Sequence, residues 1–140
     1  MRGISKENNR IETGIDFTNS IKEMLLAFNT NERNIIATNL EDINWEIIDE
    51  TKKITISRVL QELMVNMKKH SKASLVLIKF ENDHKSILIH YTDNGVGCEK
   101  TKMTKNGLQN MESRIQAVKG SIDFDTEPDK GFKVKISMPK

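Results

Sequence analysis

An α+β fold, a two-layer α/β sandwich whose mixed, largely antiparallel sheet carries helices on one face, follows from three observations. Residues 54–71 repeat apolar side chains at three- and four-residue spacing, as an amphipathic helix does. Two pairs of short apolar runs, 75–80 with 87–91 and 121–126 with 132–138, are each divided by polar turn residues, as hairpins are. The other helical patterns fall between groups of strands rather than after every strand, so antiparallel pairing dominates and the helices gather on one face.

In chain order, residues 1–14 are polar and read as a tail or the end of an element that began upstream. Asp16 is placed to cap a helix in which Phe17, Ile21, Met24, Leu25 and Phe28 share a face. After a polar break at 29–33, residues 34–39 and 43–48 carry enough β-branched and aromatic side chains for two short strands. Residues 49–51 supply a cap for the long helix, which should end near Ser71, with Ile56, Val59, Leu60, Leu63, Met64 and Met67 as its apolar face. A hairpin with its tip at 81–84 follows, and its second strand runs into Asp93-Asn94-Gly95-Val96-Gly97. The polar stretch 98–106 leads to Gly107 and a helix whose Leu108, Met111, Ile115 and Val118 align, closed by Gly120 in the position of a left-handed cap. A Pro128-Asp129-Lys130-Gly131 turn joins the last two strands, the second alternating Val134, Ile136 and Met138 with polar residues.

Composition narrows the function classes. A chain of 140 residues, 36% apolar and 30% charged, suits one soluble domain without repeats. Its net charge of +2, with no basic stripe interleaved with aromatics, argues against nucleic acid as a partner. The single Cys98 excludes an internal disulfide, and three scattered His residues leave no zinc-ligand spacing. A reducing, cytoplasmic setting fits best. No apolar run approaches the ~20 residues of a membrane span, so no membrane contact is expected of this segment.

Two stretches carry chemistry. In the 61–71 helix, Glu62 and Asn66 lie one turn apart and Lys69 and His70 follow at the next, a polar stripe about a quarter turn from the apolar face and therefore half-buried. Such a row suits a metal-phosphate site; it also suits the solvated side of an amphipathic helix. The Asp-Asn-Gly-Val-Gly run at a strand exit lets the backbone turn tightly beside a fixed carboxylate, although Asp-Asn-Gly is also a common turn. The stretch 98–106, bracketed by Gly97 and Gly107, has the make-up of a loop that closes over a ligand, and the helix start behind it offers unpaired amides to an anion.

The order E-x-x-x-N-x-x-K-H, then DNGVG, then NGLQNMESRI, then GFKVKISMP resembles the ATP-binding catalytic domain of bacterial sensor histidine kinases. Within that group it is similar to the subfamily related to nitrate and lipid-fluidity sensors, whose motifs read like QEALTNVLKHS, DNGxG and GxGLxNMxxRI. The resemblance covers residues 54–139 and implies the ATP-binding α/β sandwich shared by gyrase, heat-shock chaperones, histidine kinases and MutL. By motif position, Asn66 would hold a magnesium ion bridging the ATP phosphates, Glu62 would orient water or a metal-bound group, and Lys69 would face phosphate. Asp93 would accept from the adenine amine, selecting adenine over guanine. Gly95 and Gly97 would let the loop approach base and sugar, and Gly107 with Leu108 would bring the lid backbone to the phosphates. His70 would pack or ligate, and Arg114 would face either the lid or solvent.

Two positions depart from the family pattern. Lys105 replaces the first lid glycine, adding a phosphate contact or stiffening the lid. Phe132 replaces the threonine that usually follows the last glycine and removes a hydroxyl near the adenine. The implied activity is transfer of the ATP γ-phosphoryl group to a histidine on a separate helical dimerisation domain of the same full-length kinase, with a response regulator downstream. On that basis residues 15–140 form the ATP-binding domain and residues 1–14 the end of the upstream helix, so the chain is expected to be a fragment. The alternatives are a non-enzymatic nucleotide-binding module that regulates by contact, and, on the same fold, an ATPase clamp or a serine kinase.

Overall fold

The computed structural model describes residues 14–71, 73–95, 108–126 and 131–140. Strand β1 (Asn34–Thr38) runs parallel to β2 (Leu75–Asn82), which pairs antiparallel with β3 (Ser86–Asp93). Strand β5 (Phe132–Pro139) lies between β3 and the edge strand β4 (Ser121–Thr126), antiparallel to both. The sheet order is therefore β1-β2-β3-β5-β4, mixed and largely antiparallel. Burial alternates along the strands: Val76, Ile78, Phe80, Ile87, Ile89, Tyr91, Val134, Ile136 and Met138 are buried, whereas Leu77, Lys79, Lys133 and Lys135 are exposed. The buried face is covered by helices α1 (Gly14–Leu26), α2 (Glu50–Asn66) and α3 (Leu108–Ala117), giving the two-layer sandwich that the sequence predicts.

Helix α2 is held by its apolar face. Ile56, Val59, Leu60, Leu63, Met64 and Met67 are each at most 2% exposed, and each such burial contributes roughly 1.5–3 kcal/mol. Asp49 stands at the cap position without a capping side-chain hydrogen bond, a loss of about 1 kcal/mol that this burial outweighs several times over. Beyond Asn66 the helix widens into a π-helical turn, Met67–Ser71. Helix α3 buries Leu108, Met111 and Ile115, with Val118 just past its end, as their spacing predicts.

Three expectations are corrected. Asp16 is the third residue of α1 rather than its cap, because the helix already runs from Gly14. Residues 43–48 form no strand: Ile43 caps the end of a 3-10 turn, Leu40–Asp42, and Trp45–Ile47 form a second one flanked by Asn44 and Ile48. Asn39 adopts a left-handed φ of 66° that turns the chain out of β1. Trp45 then packs on Phe17 at 4.6 Å and Phe80 at 6.2 Å between ring centroids, its indole N–H donating to the Leu40 carbonyl at 2.9 Å. Burial of Ile43, Trp45 and Ile48 with Ile47 exposed follows the turns, not a period of two. At the end of α3 the left-handed residue is Lys119, φ 66°, not Gly120. Gly120 is needed for space instead: a Cβ there would stand 2.5 Å from the Ser137 carbonyl oxygen. Of the Pro128 turn, residues 127–130 lie outside the described residues, as does most of the polar start.

Candidate functional site

Two sets of side chains expected to act together sit on the helix-covered side of the sheet. The first is at the end of β3, whose inward row is Ile87, Ile89, Tyr91 and Asp93. Asp93 is 4% exposed. A carboxylate this buried requires donors, and it has them: Tyr91 Oη donates to Oδ2 at 2.7 Å and the Gly95 N–H to Oδ1 at 2.9 Å. Burial, and then the charge of Asp93, push the Tyr91 phenol well above its ordinary range, so it stays a protonated donor. Gly131, at φ 82°, abuts the same turn, and a Cβ there would stand 2.4 Å from the Asp93 carbonyl oxygen. Only glycine allows β5 to begin this close.

Asn94 has a structural part in the turn. Its Oδ1 accepts from the backbone N–H groups of Ser74 at 2.9 Å and Leu75 at 3.0 Å, and its Nδ2 donates to Ser74 Oγ at 2.9 Å. The turn after β3 is thereby stitched to the start of β2. Phe132 is the register partner of Asp93, and its ring meets Tyr91 edge-on at 6.0 Å and Phe124 at 6.2 Å. An aromatic contact thus occupies the position where the expected hydroxyl is lacking.

The second set lines a cleft of 280 Å³ between α2 and α3: Arg58, Gln61, Glu62, Val65, Asn66, Asn110 and Arg114. Glu62 and Asn66 are half-buried, as their place beside the apolar face predicts. Arg114, with its side chain 40% exposed, reaches across the cleft: its Nε lies 3.5 Å from Glu62 Oε1, linking the two helices, and the lid it was expected to face lies outside the described residues. That Nε is buried and makes no hydrogen bond among the described residues. With side-chain exposures of 40% and 33%, the pair is screened and contributes under about 1 kcal/mol.

Lys69 departs from expectation. It is exposed rather than half-buried, because the π-helical turn takes more residues per revolution than an α-helix and moves it off the phase of Glu62 and Asn66. Leu108 opens α3 with its side chain 4% exposed in the core, so any contact it makes with a ligand falls to its backbone. The side chain of His70, and Gly97, Lys105, Gly107 and the loop 98–106, lie outside the described residues. Sequence reasoning passed over Tyr91, Asn94, Arg58 and Asn110. Tyr91 carried a signal, since residues two apart on a strand share a face. Arg58 lay one turn before Glu62, while Asn110 enters the cleft only through helix packing.

The sequence matches, over residues 51–140, the family described as histidine kinase-, DNA gyrase B-, and HSP90-like ATPase. The sensor histidine kinase ComP of Bacillus subtilis (strain 168) is 34% identical over 95 residues, 65% of this chain and 12% of ComP. The signal transduction histidine-protein kinase/phosphatase DegS of Brevibacillus brevis is 33% identical over 96 residues, 67% of this chain and 25% of DegS. Among solved structures, the histidine kinase domain of the Erythrobacter litoralis EL346 blue-light activated histidine kinase has a TM-score of 0.70 at 12% identity, covering 90% of this chain and 60% of that one. The chain thus spans a quarter or less of those two curated relatives. The matched segment holds both Asp93 and the cleft.

Proposed function

Because the chain belongs to the family of histidine kinase-, DNA gyrase B- and HSP90-like ATPases, we propose that it is the ATP-binding catalytic domain of a two-component sensor histidine kinase. The reaction would transfer the γ-phosphoryl group of ATP to a histidine on a helical dimerisation domain of the same full-length protein, with a response regulator as the next acceptor. The ordered motifs favour the subfamily related to nitrate and lipid-fluidity sensors. Residues 15–140 form the catalytic unit in this reading, and residues 1–14 the end of the preceding helix. No helix among the described residues is long and apolar enough to cross a membrane; in this reading the domain works in the cytoplasm, whether or not the full-length protein is membrane-anchored.

The observation that carries the reading is the buried Asp93 carboxylate, held by Tyr91 and Gly95 at a strand end. An acceptor fixed in this way matches the exocyclic amine of adenine and opposes the carbonyl oxygen that guanine presents there. Asn66 supplies the carboxamide oxygen, a hard donor of the kind magnesium takes. No group of three or more His, Cys, Asp or Glu side chains stands together among the described residues, so an ion here would draw most of its ligands from phosphate and water, the mode magnesium favours. When bound, magnesium would neutralise charge on the phosphoryl oxygens. Glu62 orients water or a metal-bound group, Arg114 holds Glu62 in place, and Lys69, exposed just past Asn66, is a further cation for phosphate. Gly95 and Gly97 admit the base and sugar, and Gly107 and the Leu108 backbone reach the phosphates.

Calorimetric titration with ATP, with and without magnesium, tests binding; a chain that binds no nucleotide would favour the contact-only regulatory module. Phosphotransfer is tested with γ-labelled ATP and an added helical dimerisation domain. The chain alone is not expected to label itself. His84 is exposed at a hairpin tip, and His90 lies on the open face of the sheet paired with Glu81 at 2.9 Å, whereas in-line attack requires an approach of about 3–3.5 Å to the phosphorus. Acid-labile label on either histidine at a useful rate would overturn that expectation.

A further inference from the structure

The single tyrosine of the chain is spent on one carboxylate. Tyr91 and Asp93 are two residues apart on β3 and so project from the same face, and Tyr91 is 1% exposed. Its hydroxyl holds Oδ2 while the Gly95 amide holds Oδ1, so both ends of the carboxylate are tied and its plane is set before any ligand arrives. The tyrosine ring is itself fixed by the edge-on contact with Phe132, which packs on Phe124.

We propose that Tyr91 is a positioning residue for adenine specificity: it orients the Asp93 carboxylate toward the exocyclic amine and supplies, from β3, a hydroxyl beside Asp93 where Phe132 leaves none on β5. The inference rests on the reading of Asp93 as the adenine acceptor. A tyrosine that merely filled the core would affect all nucleotides alike. One that orients the acceptor affects only those bearing the amine, because a mis-set acceptor loses its hydrogen bond to ATP while inosine triphosphate, with a carbonyl in place of the amine, has none to lose.

The test measures ATP and inosine triphosphate affinities for the full chain, Asp93→Asn and Tyr91→Phe. Tyr91→Phe keeps the ring and its contact with Phe132 and removes only the hydroxyl. It is expected to lower the ATP-to-inosine-triphosphate affinity ratio by about fivefold to tenfold, through ATP alone, the net scale of one ordinary hydrogen bond. If Asp93→Asn abolishes the preference and Tyr91→Phe leaves it at the wild-type ratio, the role of Tyr91 is overturned and that of Asp93 stands. If the wild type shows no preference, or Asp93→Asn does not alter it, the Asp93 reading fails and takes this inference with it. Should Tyr91→Phe not fold, the chain grown with 3-fluorotyrosine gives a single fluorine resonance. A shift on saturation with ATP that inosine triphosphate does not reproduce supports the assignment, and a resonance indifferent to ATP overturns it.

Discussion

The strand end around Asp93 and the cleft around Asn66 are built in opposite ways. At the strand end Asp93 is 4% exposed, its two oxygens accept at 2.7 and 2.9 Å, and Gly131 leaves no room for a Cβ. In the cleft Glu62 and Arg114 are a third or more exposed, meet at 3.5 Å, and leave Arg114 Nε without a hydrogen bond among the described residues. A base of fixed shape is read by a preset acceptor. A flexible, highly charged polyphosphate with its ion suits side chains that retain freedom to rearrange, at a lower cost in lost solvation while the site is empty. The two ends should therefore respond differently to mutation: the first in stability and specificity, the second in metal and salt dependence.

Gly131→Ala should give the largest effect. A positive φ costs roughly 1–2 kcal/mol with a Cβ, and forcing that Cβ against the Asp93 carbonyl adds about 1–3 kcal/mol. Denaturant unfolding should register a loss near the sum, about 3 kcal/mol; an unchanged midpoint would mean that the turn is not rigid.

Next is Asp93→Asn, expected to weaken ATP by about 2 kcal/mol with the fold retained, since the amide replaces an acceptor-only oxygen with a donor. Unchanged ATP affinity in a folded variant would reject the assignment. Asn66→Ala should lower ATP affinity roughly tenfold with magnesium and much less in excess chelator. Equal losses in both conditions would assign Asn66 to packing and erase the contrast between the two ends.

The smallest effect is expected for Arg114→Gln. The pair with Glu62 is partly exposed, so unfolding stability should move by less than about 1 kcal/mol, with the difference shrinking as salt is raised. A loss of several kcal/mol would show that the cleft is as tightly built as the strand end.

Local pattern was enough for most of the fold because periodicity reports directly on which face of an element is covered. The six apolar positions of α2, the four aligned side chains from Leu108 to Val118, and both hairpins were legible in this way. Legible too were the strand-exit Asp93 and the Glu62–Asn66 stripe, each fixed by spacing within one element. The failures came where a partner distant in sequence decides the backbone. Residues 43–48 have strand-like composition, but Trp45 is drawn into the core between Phe17 and Phe80 and the chain follows it into turns. Gly120 has the composition of a cap, but the constraint on it is the Ser137 carbonyl across the sheet. Lys69 lost its phase to a π-helical turn that the sequence did not reveal.

What the sequence determined by itself was the three helices, the two hairpins, their buried faces and the residue types available for binding, since these depend on neighbours within a few positions. Tertiary structure alone decided that β5 enters between β3 and β4, so that Phe132 falls opposite Asp93 and against Tyr91. It alone brought Arg114 of α3 to Glu62 of α2. Those meetings join residues some forty to fifty positions apart, and no local preference encodes them; they arise because one sheet face and three helices have a single way to bury their apolar surfaces together.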